Sequence, residues 1–304
     1  MDARQKRRAL YKTWKKGYFH LCTDGWKDGL LFYDESEYVN AVNIISLLDL
    51  LFPIKVHAYE VMRNHLHLLL SGRGIHCVKV FDYLKMRIVK RLREDGHPPL
   101  PRNYDFRLVP VEDETQMRRN LVYIARNAFE VQEMMPGAYL WGSSMLHYSS
   151  LPRLFEAVRA GEYSDRALRR MFRSELSIPP DRLIHPGLGM ALPQSFVDLG
   201  VFYKVFPTAK EYSVRLVKDY ESFVQLADQI GETIAFTYEE AEDIVEQELA
   251  RAGQTLAGLS SEERCFRAVQ LHRKYHLAVP MLSRLLSIPA HVIDQALRSK
   301  RWRA

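Results

Sequence analysis

The sequence predicts an α+β fold: an antiparallel sheet with helices on one face in the N-terminal half, followed by an all-α C-terminal region. Three observations predict it. Residues 17–131 alternate between strand and helix patterning in the order strand, helix, strand, strand, helix, strand, helix, which is that of a split β-α-β sandwich. Within that order, Asn64 to Leu70 reads as a strand with two unlike faces. His65 and His67 project together from one face, and Leu66, Leu68 and Leu70 project from the other into a core. From about Ser150 onward, helical periodicity replaces strand alternation.

The elements follow in order. Arg4 to Lys16 is basic, with Tyr11 and Trp14 interleaved, and reads either as a segment lying along phosphates or as a solvated arm. Gly17 to Cys22 is strand-like, and Thr23-Asp24-Gly25 is a turn signal. Asp34 or Ser36 caps a helix through Tyr38, Val42, Ile45 and Leu48, with Pro53 beyond its end. Ile54 to Glu60 and Asn64 to Leu70 are strands joined tightly at Met62-Arg63-Asn64, and Ser71 to Gly74 is a turn. Val78 to Arg93 is an amphipathic helix, Tyr104 to Val111 a fourth strand, and Glu112 to Glu114 opens a helix running to about Val131.

Beyond residue 150, breaks fall at Ile178-Pro179-Pro180, at His185 to Gly189 and at Ala191-Leu192-Pro193. Glu262 to His276 is helical. A short helix with Pro280 in its first turn follows, then a turn at Ser287-Ile288-Pro289 and a further helix to Arg298. Leu282, Leu286, Ile288 and Ile293 fall where a helix-turn-helix puts its core. A DNA-binding helix-turn-helix and an ordinary three-helix bundle both fit that pattern. The tail, Arg298 to Arg303, is basic and carries Trp302. The expected division is 1–150 as the α+β domain, 151–260 as a helical region of unknown role, and 261–304 as the helical bundle.

Composition bounds the partners. Three scattered cysteines, Cys22, Cys77 and Cys265, lack paired metal spacing and predict a reducing, cytoplasmic setting. The N-terminus lacks a signal peptide's apolar stretch, and no run is apolar enough to span a membrane. The net charge of +6 is uneven: residues 1–150 hold 22 Lys+Arg against 17 Asp+Glu, whereas the rest nearly balances at 21 against 20. That asymmetry favours a polyanionic partner. Lys85, Arg87, Lys90, Arg91 and Arg93 place five cations in nine residues without an acid, which reads as phosphate contact; a solvated face and a helix C-terminus are the competing local causes.

Two imidazoles on one strand face can share a divalent ion. The stretch Met62-Arg63-Asn64-His65-Leu66-His67-Leu68-Leu69 resembles the Met-Pro-Asn-His-x-His-Leu-Leu signature of REP-associated tyrosine transposases, within the insertion-sequence transposases that act on single-stranded DNA. Further similar stretches follow in order: Arg107 to Glu114, Tyr123-Ile124-Ala125-Arg126-Asn127, and Tyr139-Leu140-Trp141-Gly142-Ser143-Ser144. The resemblance spans roughly residues 11 to 150, about half the chain. It implies a ferredoxin-like core, Tyr123 as nucleophile, and Asn127, one turn further along the same helix face, completing a Mg²⁺ or Mn²⁺ site with His65 and His67. Two departures stand out. Ala128 and the residues after it replace the usual proline-bounded helix end, and Arg63 takes the place of the signature proline.

The predicted function is therefore a metal-dependent single-strand DNA transposase or nickase that cleaves and rejoins hairpin DNA through a phosphotyrosine. Phosphate contacts are expected from Arg63, Lys15, Lys16, Lys85, Arg87, Lys90, Arg91 and Arg93. Monomer and homodimer are both compatible with the resemblance. A non-cleaving DNA-binding regulator derived from a transposase is the rival reading, and a hydrolytic nuclease that would tolerate Tyr123→Phe is a third. His57, Tyr59 and His147 are expected to be structural.

Overall fold

A computed structural model describes residues 2–23, 29–132, 135–232, 234 and 236–299. The chain forms two compact units, Met1–Leu216 and Val217–Ala304. In the first, helix α1 (Ala3–Thr13) leads into β1 (Lys16–Thr23), and α2 (Glu35–Ile45) and the short α3 (Leu48–Leu51) precede β2 (Lys55–Val61) and β3 (Leu66–Arg73). Then come α4 (Gly74–Glu94), β4 (Phe106–Val111) and α5 (Glu114–Gln132). The strands form one antiparallel sheet in the order β2-β3-β1-β4, so the apolar β3 is central. The predicted strand and helix order is borne out, and with it the α+β class, but the helices are not confined to one face: α2 and α4 pack on one side of the sheet and α5 on the other.

Strand alternation separates the two faces of this sheet. Leu66, Leu68 and Leu70 of β3, Phe19 and Leu21 of β1, and Phe106 and Leu108 of β4 are buried in one core with Phe81, Leu84 and Ile88 of α4 and with Ile44 and Ile45 of α2. The opposite face carries His20, His67 and Glu60, and α5 packs there through Tyr123. Asp34 is the helix cap on α2, its Oδ1 accepting from the Glu37 amide at 3.0 Å.

Two local readings change. Ser71 to Arg73 continues β3 against Lys16, Gly17 and Tyr18 instead of turning, and α4 begins directly at Gly74. Gly74 lies so close to α1 that a Cβ there would meet the Tyr11 carbonyl oxygen at 2.1 Å. The N-terminal segment is a packed helix and not a solvated arm: Arg4 and Arg7 pair with the buried Asp105 at 3.0 and 2.8 Å. Its aromatics serve the core, with Trp14 stacked on Phe19 at 5.5 Å and Tyr11 against Phe106 at 5.6 Å. Asp24 and Gly25 of the predicted turn lie outside the described residues.

Residues 151–216 contain helices and a small three-stranded sheet, β5 (Val158–Arg159), β6 (Leu183–His185) and β7 (Met190–Ala191). Strands of two or three residues are too short for a period of two to register in the sequence. Between them lies α6 (Asp165–Phe172), and after them α7 (Gly200–Val205) and α8 (Ala209–Lys218). Buried Asn43 of α2 ties this segment down. Its amide donates to the carbonyls of Met171 (3.2 Å) and Gly189 (2.9 Å), and its oxygen accepts from Ala191 N–H (2.7 Å).

The second unit is helical: α9 (Tyr220–Ile230), α10 (Tyr238–Arg251), α11 (Ser261–Tyr275), α12 (Val279–Leu286) and α13 (Ala290–Arg298). Capping boxes at Thr237/Glu240 and Ser260/Glu263 start α10 and α11. Leu282, Leu286, Ile288 and Ile293 are buried. Ser283 Oγ donates to the Ile288 carbonyl at 2.6 Å across the α12–α13 turn. Lys300 to Arg303 of the basic tail lie outside the described residues.

Candidate active site

The site forms where the polar face of β3 meets α5. Met62 N–H donates to the His65 carbonyl at 3.0 Å, closing a two-residue turn over Arg63 and Asn64 that delivers His65 at the start of β3. His67 follows two residues on, from the same face, and the two rings lie edge to face with centroids 4.7 Å apart. Across from them Tyr123 and Asn127 sit one turn apart on α5, and Asn127 Nδ2 donates to the Tyr123 carbonyl at 2.9 Å. The Tyr123 ring is 5.7 Å from that of His67. His65, His67, Tyr123 and Asn127, drawn from segments some sixty residues apart, are thus neighbours, and all four are buried.

Hydrogen bonding orients the ligand atoms. His65 Nδ1 donates to Asn64 Oδ1 at 2.7 Å, which turns Nε2 toward α5. That Nε2 lies 3.4 Å from Asn127 Oδ1, and the amide cannot simply turn over because its NH₂ is held by the Tyr123 carbonyl. Nε2 donates to that oxygen when the ring is doubly protonated, and the two are a pair of lone-pair donors when the ring is neutral. Adjacent ligands of an octahedral ion with bonds of about 2.1 Å lie roughly 3 Å apart, so this pair has the spacing of shared coordination. His67 Nδ1 faces His20 Nε2 at 3.0 Å, which directs its own Nε2 to the far side of the ring. Burial, then the neighbouring His65, pushes the His67 imidazole well below its ordinary range, so it stays neutral with a lone pair to offer. Two imidazoles, each a ligand in its neutral form, and an amide oxygen form a donor set that fits a borderline-hard divalent ion.

Sequence reasoning passed over three residues here. His20 supports His67 from β1, and the alternation Tyr18, His20, Cys22 would have placed it on that face. The register also sets Arg107, Cys22, His67 and Glu60 in one row across β4, β1, β3 and β2. Arg107 brings a half-buried cation to that face. Glu60 is fully buried, and burial pushes its carboxyl well above the usual range. Ser144 Oγ donates to Glu60 Oε1 at 2.5 Å, and Gly142 lies against the carboxylate.

The expected phosphate contacts are distributed widely. Arg63 is exposed on the turn beside His65. Lys15 and Lys16 are exposed at the far end of the sheet, since Lys16 pairs with Arg73 whereas Cys22 pairs with His67, about 20 Å along the strand. The basic helix α4 covers the leucine face, opposite the histidines. Of the five cations expected to contact phosphate from this helix, three are engaged within the protein. Lys85 donates to the Tyr104 carbonyl at 2.5 Å, Arg87 to Tyr83 Oη and the Phe172 carbonyl at 2.6 and 3.1 Å, and Arg91 pairs with Glu37 and Asp95. Lys90 and Arg93 remain exposed, Lys90 3.8 Å from Glu94. Ligand atoms of Glu37, Asp95 and His97 also gather within 4.8 Å of one another, but Arg91 already serves both carboxylates.

The residues read as structural are engaged in packing. His57 bridges the Asp198 carbonyl (3.1 Å) and Ser71 Oγ (2.8 Å), and Tyr59 is fully buried in the leucine-side core. His147 stacks on Phe202 at 3.8 Å and bonds Tyr212 Oη at 3.1 Å.

No protein-family model and no curated protein matches the chain. Among solved structures, one of a REP-associated tyrosine transposase bound to a REP hairpin is similar to 44% of this chain and 79% of its own, at 14% identity and a TM-score of 0.35. Among the described residues, no helix is long and apolar enough to cross a membrane.

Proposed function

We propose that the chain is a metal-dependent single-strand DNA transposase or nickase, in which Tyr123 attacks a phosphodiester and His65, His67 and Asn127 hold Mg²⁺ or Mn²⁺. The observation that carries this reading is the convergence of His65 Nε2 and Asn127 Oδ1, 3.4 Å apart, on the helix face that also presents Tyr123. The bound ion would polarise a non-bridging phosphate oxygen. Tyr123 Oη loses its proton as its bond to phosphorus forms, the bond to the departing sugar oxygen breaks, and that oxygen takes up a proton. The phosphotyrosine ester conserves the bond for later rejoining. Tyr123 is 4% exposed, so the reading requires the site to open before a phosphate can enter.

Hairpin-bearing single strands are the proposed substrate, on the resemblance around His65 to Leu69, with Arg63 and the exposed Lys15, Lys16, Lys90 and Arg93 as phosphate contacts. The roles of 1–150 as catalytic domain and of α12–α13 as a DNA-binding helix-turn-helix belong to the same proposal, as does a cytoplasmic setting. Cleavage of end-labelled hairpin strands by the wild type and by His65→Ala and His67→Ala, with Mn²⁺ or EDTA, tests it. Nicking that needs the metal and both histidines is expected. Nicking unchanged in the variants would contradict it, and tight binding without cleavage in any metal would favour a non-cleaving regulator.

A further inference from the structure

A second feature of the first unit lies on the leucine side of the sheet. The exposed flank of α6 faces α2 and the β6–β7 loop across a groove of about 880 Å³. Arg166 and Arg170, one helical turn apart, line it together with Arg173 just past the helix end. Arg173 pairs with Glu94 at 3.6 Å, but neither Arg166 nor Arg170 has an ion pair among the described residues, and Glu35 is the acid in the lining. Like charges at this spacing destabilise a helix by a few tenths of a kcal/mol, so folding alone does not call for them. Leu168 and Phe172 on the buried flank supply the packing of α6. The groove is built firmly: Asn43 bonds the carbonyls of Met171 and Gly189, one from each wall, and Arg87 holds the Phe172 carbonyl at 3.1 Å.

The lining is mixed. Beside the guanidinium groups lie Val39, Met171 and Leu188, apolar and part-buried. A duplex presents chiefly phosphates to such a surface, whereas a single strand offers phosphates to cations and unstacked bases to apolar side chains. We infer that this groove seats a stretch of single-stranded DNA, its phosphates on Arg166 and Arg170 and its bases against Val39, Met171 and Leu188. The choice of DNA rests on the proposed function; the groove, on the sheet face opposite His67, takes no part in the cleavage step.

Binding of a labelled single strand, followed by fluorescence anisotropy over a range of salt in EDTA with Tyr123→Phe throughout, tests this separately from catalysis. Arg166→Ala with Arg170→Ala removes both cations while favouring the helix, and its Tm checks the fold. A charge-matched control, Arg153→Ala with Lys204→Ala, changes exposed positions outside the groove. The expected result is at least a tenfold loss of affinity and a salt slope reduced by about 1.4, near 0.7 for each lost phosphate contact, with the control unchanged. Arg166→Lys with Arg170→Lys should keep most of the slope. Unaltered binding, or an equal loss in the control, would overturn the inference, as would a loss seen only with duplex DNA. A groove effect without any Tyr123 adduct in the wild type would refute the catalytic proposal and leave the groove standing, and the reverse pair of results would do the opposite.

Discussion

His65 Nε2 and Asn127 Oδ1 face each other at 3.4 Å, from the edge of a strand and the middle of a helix sixty-two residues later. Each is held there by a bond at its other end, His65 Nδ1 to Asn64 and Asn127 Nδ2 to the Tyr123 carbonyl, so neither can easily turn away. Without a metal ion a proton on Nε2 bridges the pair; with an ion in its place the two atoms are ligands. Mn²⁺ should therefore stabilise the wild type, by about 2.7 kcal/mol at a hundred times the dissociation constant, seen as a rise in Tm. His65→Ala and Asn127→Ala should abolish that rise and Tyr123→Phe should keep it. Equal shifts in all four proteins would place the metal elsewhere.

Gly142 and Glu60 are coupled by space. A Cβ at position 142 would lie 1.2 Å from Glu60 Oε2, so Gly142→Ala should cost about 3 kcal/mol by overpacking. Adding Glu60→Ala removes the clashing atoms, and the double variant should be more stable than the summed single costs predict. Denaturant midpoints of the four proteins measure this, and strict additivity would refute the coupling.

Burial holds His147 neutral, its imidazole pushed down to about 3. An unfolded histidine titrates near 6.5, so below about pH 6.5 the unfolded chain binds a proton that the folded one refuses. Stability is fully present above that pH and falls as pH drops toward 3, by about 1.4 kcal/mol per pH unit from this group. His147→Gln should flatten the pH dependence of the unfolding free energy by up to one proton across that window. An unchanged slope would mean that the residue is not neutral in the fold.

Asn43 satisfies three backbone groups of residues 171–191 from one amide. Asn43→Leu leaves buried donors and acceptors without partners and should cost roughly 2–4 kcal/mol. Proteolysis should then cut between residues 160 and 195 well before the four-stranded sheet. Cleavage spread evenly over the first unit would contradict the anchoring role.

Much of this architecture was legible because β3 has two chemically different faces: the alternation of Leu66, Leu68 and Leu70 with His67 fixes which side meets the core. The meeting of Tyr123 with His67 was legible only through resemblance, since nothing in spacing alone brings α5 onto the histidine face. His20 and Arg107 went unread because each acquires its place from cross-strand register, a long-range property that one strand's sequence does not carry. Glu60 lies in a strand otherwise apolar around it, where a carboxylic acid contradicts propensity until Ser144 and Gly142 close on it. The basic arm misled because Asp105, its buried partner, lies about a hundred residues away.

The central claim is that Tyr123 is the nucleophile, and the most direct test is a denaturing gel of the wild type and Tyr123→Phe mixed with labelled hairpin strands in Mn²⁺ or EDTA. The account predicts a covalent protein–DNA adduct that requires both the metal and Tyr123. Cleavage that leaves no adduct and survives in Tyr123→Phe would contradict it and assign the attack to water.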